Sequence, residues 1–326
     1  MTHLLRSPMP LSAFALPKRL VVSFPLAQLL HRHTTPKPFC SRMSATPSTS
    51  LTHSISLPTQ LGQPVQVLAA PGLSDSEFRA AIESSLFRQW LKNLECDNGI
   101  LANGNMTLTQ VLIQGVDMFG KRIGFLKFKA DIIDKGTGKK VPGIVFARGP
   151  AVTVLILLES EGTTYAVLTE QVRVPTGRVV LELPAGMLDD DKGDFVGTAV
   201  HYTPAFVIFT DMLMFCLSVE EEIGIRLKLE DMVDLSAFLD PSTGFKVFPS
   251  PGGCDEELGL FLYRGRVDKN IITQLEGKET GCVKHGELIK VRVVPYEKLW
   301  HTTPDAKALM AIAIYEMAKK EGLLPQ

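Results

Sequence analysis

With 326 residues, 45% of them hydrophobic, the chain has enough apolar material for one large core or two smaller ones. Its formal charge of −1 supplies no electrostatic footprint for nucleic acid. That balance conceals an asymmetry: six basic residues (Arg6, Lys18, Arg19, Arg32, Lys37, Arg42) precede the first acidic one, and the 35 acidic and 28 basic residues from Asp75 onward leave that part at −7.

Residues 1–55 are rich in Ser, Thr, Pro and basic side chains, lack acids, and contain no apolar run long enough to span a membrane. This is the composition of an organelle transit peptide or a disordered leader. The stretch LSAFAL (Leu11 to Leu16) is too short and too close to proline for a secretory core. Ser and Thr outnumber Arg and no periodic Arg helix is visible, which points to the chloroplast stroma before the mitochondrion. The five cysteines (Cys40, Cys96, Cys216, Cys254, Cys282) have no CxxC spacing, against a structural zinc site or a disulfide framework.

Folded structure is expected to begin at Ser74, where Ser74 and Glu77 form a capping-box pattern ahead of Phe78, Ile82, Leu86 and Trp90. Those four-residue steps predict one helix of about five turns. MTLTQVLIQG and GFLKFKADII follow. In the second, Leu126, Phe128, Ala130 and Ile132 alternate with Lys127, Lys129 and Asp131, the period of half-buried antiparallel strands. Residues 60–140 thus read as a small N-terminal domain of helix and antiparallel strands.

From Val152 the strands are denser. VTVLILLES, a turn at Glu161-Gly162 and TYAVLTEQVRV read as a hairpin covered on both faces. Further strands are expected at 179–184, 233–239, 258–267 and 289–295. Thr303-Pro304 is expected to open a last helix, with proline in its first turn and Gly322 closing it.

VEEEIGI (Val219 to Ile225) holds three consecutive glutamates, which on a helix diverge by about 100° per residue and cannot all face one ion. A solvated helix end is the plain reading. One or two of them could serve a hard, oxygen-ligated cation such as Mg²⁺. ELPAG (Glu182 to Gly186), a polar loop and then EEEIGI resemble the signature of the Nudix hydrolases: Gly, five residues, Glu, seven residues, Arg-Glu, an aliphatic, any residue, Glu-Glu, any residue, Gly, an aliphatic. Gly186 matches its start, and Val219, Glu221, Glu222, Gly224 and Ile225 match its end. TEQVRVP (169–175), SPGGCDEEL (250–258), HGELIKVRVVP (285–295) and Pro241, 16 residues past Ile225, are similar to the ADP-sugar pyrophosphatase branch, especially its plastid members. The resemblance spans residues 60–326.

It implies an α/β fold: a Nudix α/β/α sandwich with a mixed sheet over residues 145–326, after a dimerising domain at 60–140. It also implies Mg²⁺-dependent cleavage, with Mn²⁺ as a substitute, of ADP-sugars such as ADP-glucose or ADP-ribose to AMP and sugar 1-phosphate. Under it, Glu221, Glu222 and the carbonyl of Ala185 are metal ligands. Glu221 and Glu287 are the catalytic candidates, Glu287 as general base or added ligand. Arg173 suits the diphosphate through its bidentate fork. Glu182 is a second substrate contact or a strand-end residue paired to a neighbour. The partners implied are the nucleotide sugar and a second copy of the chain, with no nucleic acid and no membrane.

The chain departs from the pattern in two places. Lys192 stands where the early Glu is expected, with Asp194 as a possible stand-in, and residues 201–218 replace the Arg-Glu pair. That segment, HYTPAFVIFTDMLMFCLS, carries Pro204, which breaks a continuing helix at a cost of about 3 kcal/mol. It reads either as translated intron or as a genuine isoform. Losing a principal metal-ligating Glu and its bracing Arg implies weak metal binding and poor turnover; the alternative function is an inactive Nudix-fold protein that binds nucleotide sugars or dimerises.

Overall fold

The computed structural model describes residues 51–60, 64–188, 227, 229–280 and 288–325. Glu221, Glu222, Glu287 and the 201–218 segment lie outside them, as do Lys192 and Asp194.

The first sheet has six strands: β1 (Thr52–Ile55), β2 (Val65–Ala69), β3 (Met106–Phe119), β4 (Arg122–Asp134), β5 (Lys140–Val141) and β6 (Ile144–Ala147). The β3–β4 pair is antiparallel as expected, and Leu126, Phe128, Ala130 and Ile132 all face inward. Order begins before Ser74, with β1 and β2, and β2 pairs parallel with β3, so this sheet is not wholly antiparallel. β1 is mostly exposed and β2 is only five residues long, too short for its Val65-Gln66-Val67 alternation to stand out.

The expected long helix is two, α1 (Asp75–Glu83) and α2 (Ser85–Glu95). The capping box at Ser74 is present. Ser84 breaks the run: its backbone is extended, its hydroxyl donates to the Ala81 carbonyl, and its oxygen accepts from the Phe87 amide 3.2 Å away. A serine that closes one helix and caps the next competes with continued helix better than the apolar period can prevent. The apolar face survives the break. Phe87, Trp90 and Phe128 pack with centroids 4.6 to 5.8 Å apart, each ring pair contributing about 0.5–1.5 kcal/mol beyond burial.

The second sheet has eight strands. β7 (Ala151–Ser160) and β8 (Thr163–Arg173) form the expected hairpin around Glu161 and Gly162, both at positive φ, as a two-residue turn requires. β9 (Arg178–Glu182) joins β8, and β10 (Ala185–Met187) joins β7. β11 (Met232–Asp234), β12 (Leu258–Arg266), β13 (Glu279–Thr280) and β14 (Ile289–Pro295) complete the order β11-β12-β7-β8-β14-β13. The β12–β7 pair is parallel and the others antiparallel, so the sheet is mixed.

Along β7, Val152, Val154, Ile156 and Leu158 enter one apolar cluster while Ala151, Leu155 and Leu157 enter another. Apolar residues on both pleat faces explain why the segment shows no polar alternation. The second cluster is covered by α4 (Tyr296–Thr302) and α5 (Ala306–Lys320), through Leu299, Ala308, Ala311 and Tyr315; the first is covered by Leu275 of α3 (Lys269–Leu275) and by Leu227. Helices on both faces of a mixed sheet make this an α/β sandwich.

Two expectations are corrected here. Residues 233–239 give a three-residue strand and then a 3₁₀ turn, because Asp234 accepts the amides of Ser236 and Ala237 at 2.8 and 3.3 Å and folds the chain back. Pro304 lies ahead of the last helix rather than in its first turn; Asp305 caps α5 by accepting the Lys307 amide at 3.0 Å, and Gly322 follows its end at φ +70°.

Candidate active site

Arg173 ends β8, opposite Arg178, while Glu182 ends β9, opposite Thr169. Paired residues share a face and residues two apart share it too, so Arg173 and Glu182 project from the same side of the hairpin. The guanidinium reaches back along that face and forks onto the carboxylate, Nε to Oε1 at 2.6 Å and Nη2 to Oε2 at 3.1 Å. Lys307 Nζ approaches the same carboxylate, 2.9 Å from Oε2, and also lies 2.8 Å from Asp305 Oδ1.

Two cations and two carboxylates thus form one chain of contacts, Arg173–Glu182–Lys307–Asp305. Burial pushes the Glu182 carboxyl upward, but the Arg173 fork and the Lys307 charge outweigh it and hold it below the ordinary carboxylate value. Burial likewise works against the Lys307 ammonium, yet Asp305 and Glu182 keep it above its ordinary value. Both ions are therefore charged at neutral pH. Glu182 is 5% exposed, and its carboxylate is paired with both Arg173 and Lys307. The Arg173 side chain remains 42% exposed.

The turn before α5 braces β9 as a surrogate strand. Thr303 Oγ1 donates to the Leu181 carbonyl at 2.5 Å, and Asp305 Oδ2 accepts the Leu183 amide at 3.0 Å. Beyond Leu183, the Pro184 carbonyl accepts both the Val154 amide at 3.1 Å and Thr153 Oγ1 at 2.8 Å, and the Leu188 amide donates to Pro150. ELPAG is consequently anchored on both sides of Ala185, which opens β10.

Sequence reasoning singled out Arg173, Glu182 and Ala185 but missed Thr303, Asp305 and Lys307. The available signal was a charged pair, Asp305 and Lys307, directly ahead of the apolar run ALMAIAI (Ala308 to Ile314). Among the described residues no group of three His, Cys, Asp or Glu side chains is placed to hold a metal. The expected ligands Glu221 and Glu222, and the expected base Glu287, are not among them. No helix of the described residues is long and apolar enough to cross a membrane.

SPGGCDEEL forms a second charged cluster where the two sheets meet. Asp255 Oδ1 accepts the amides of Arg148 and Gly149 at 2.8 and 3.2 Å, Lys246 Nζ lies 2.6 Å from Glu257, and Phe146 donates its amide to Gly253.

No family model matches the chain. A solved structure of an ADP compounds hydrolase is similar at a TM-score of 0.41 and 12% identity, covering 68% of this chain and 97% of that one. Nudix hydrolase 14, chloroplastic, of Arabidopsis thaliana is 66% identical over 312 residues, 95% of each chain. The chloroplast location in that name agrees with the leader-like composition, and this chain is a chloroplast protein. Identity at this level over nearly the whole of both chains makes it a hydrolase, and it belongs to the Nudix hydrolase family.

Proposed function

We propose that the chain cleaves the diphosphate of ADP-sugars, ADP-glucose and ADP-ribose foremost, to AMP and a sugar 1-phosphate. The observation that carries this reading is the Arg173 fork: a partly exposed guanidinium, locked on a buried carboxylate beside the anchored ELPAG turn, suits a dianionic diphosphate. The expected cation donors, two carboxylates and the Ala185 carbonyl, are all oxygen, a set suited to Mg²⁺. Bound there, the ion would polarise the phosphoanhydride and favour attack by water. Arg173 orients the diphosphate, Glu182 orients Arg173, and Glu287 is the candidate acceptor of the water's proton.

Residues 201–218 replace the Arg-Glu half of the motif, and turnover by this chain falls accordingly, by orders of magnitude relative to an uninterrupted version. The chain also pairs with a second copy through its first sheet, where Met118, Phe119, Ile144 and Phe146 are exposed and the Phe125 ring meets Phe119 edge-on and Phe146 at a tilt. The test is product analysis: AMP and glucose 1-phosphate from ADP-glucose, with Mg²⁺ and not with EDTA. Release of ADP and free glucose instead would refute it.

A further inference from the structure

Behind Arg173 and Glu182 stand two charged groups, Lys307 and Asp305, that have no task in diphosphate cleavage as proposed. We propose that Lys307, held by Asp305, is a positioning residue for diphosphate binding: it fixes Glu182 so that Arg173 is presented to the substrate. This rests on the reading that Arg173 contacts a diphosphate.

Lys307 is an awkward residue to bury where it lies. Its side chain is 16% exposed, and it stands in the first turn of α5, where the helix dipole disfavours a cation. Capping needs only Asp305, which already takes the Lys307 and Leu183 amides. Ordering a lysine side chain there costs conformational entropy that the cap does not require. What the ammonium adds is a second cation on Glu182 Oε2, 2.9 Å away.

A carboxylate with one partner turns readily about its last torsion, which is broad and two-fold. Gripped by Arg173 on one side and Lys307 on the other, its plane is set, and the coplanar fork then sets the guanidinium. Charge points the same way. An arginine paired to its own carboxylate is a weakened anion receptor; sharing that carboxylate with Lys307 returns positive potential to the Arg173 face. Asp305, which neutralises Lys307, spends part of its own charge on backbone amides.

The test is calorimetric titration of the full chain with α,β-methylene-ADP-ribose in the presence of Mg²⁺, for the unaltered chain, Lys307→Met, Arg173→Ala and the double variant. Lys307→Met should weaken binding about tenfold. In the Arg173→Ala background it should add no further loss, and Lys307→Arg should restore most of the affinity. A purely structural lysine would instead give the same loss in both backgrounds, and that result, or unchanged affinity in Lys307→Met, overturns the proposal. If Lys307→Met does not fold, Asp305→Asn, which gives up one of the two amides that Asp305 accepts, decides in the same two backgrounds: weaker binding that disappears with Arg173→Ala supports the proposal, and an equal loss in both backgrounds or unchanged affinity overturns it. Failure to bind the analogue by both the unaltered chain and a version in which Arg-Glu replaces residues 201–218 removes the diphosphate reading itself, an outcome visible before any Lys307 variant is made.

Discussion

Glu182 and Asp255 are carboxylates turned into the protein, yet they are treated in opposite ways. Glu182 meets two side-chain cations, which overcome its burial and hold its pKa down. Asp255 meets backbone amides, with the charge of Glu257 nearby; burial wins, and its pKa is raised. The cluster around Asp255 ties β6 to the approach of β12 through main-chain contacts, whereas the network on Glu182 orders side chains beside a turn. Partners that are backbone point to architecture. Partners that are themselves ions, one of them exposed, point to a site.

The sharpest way to break this contrast is the same isosteric change at both positions. Glu182→Gln leaves Arg173 and the buried Lys307 facing a neutral amide, and a destabilisation of about 3 kcal/mol is expected in urea unfolding. Asp255→Asn keeps an acceptor for both amides while removing a charge that burial opposes, so its effect should stay within about 1 kcal/mol. Equal losses at the two sites would erase the distinction.

Acid titration sharpens it further. Because the folded pKa of Glu182 is depressed, its contribution is full above the unfolded carboxylate value of about 4.3 and is lost as pH falls through the folded value. The stability gap between the unaltered chain and Glu182→Gln should therefore close on acidification. The raised pKa of Asp255 has the reverse sign, so the unaltered chain should gain on Asp255→Asn as pH falls through the folded value of Asp255. Unfolding midpoints of all three proteins from pH 7 to pH 3 check both. The smallest effect sets the scale: Arg266 pairs with Glu159 at 3.1 Å but is 85% exposed, and Arg266→Ala should change stability by no more than about 0.5 kcal/mol.

What the sequence made legible follows the range of the interactions. The Ser74 capping box, the alternation of β4 and the Glu161-Gly162 turn are local signals, and each is found in the structure. Ser84 and Asp234 are also local, but side-chain hydrogen bonds there defeat an apolar pattern that reads straight through them. The site was legible only as a motif. Arg173 and Glu182 lie nine residues apart and could be paired by reading the hairpin, whereas Lys307 reaches Glu182 across 125 residues, a contact set by the packing of α5 on the sheet. No periodicity announces such a contact.

The most direct measurement is Mg²⁺-dependent AMP release from ADP-glucose and ADP-ribose by this chain and by a version in which Arg-Glu replaces residues 201–218. Release at ordinary enzyme rates by the repaired version alone is the predicted result. Comparable release by the chain as it stands would contradict the account, and would mean that another carboxylate completes the site proposed for Glu221 and Glu222.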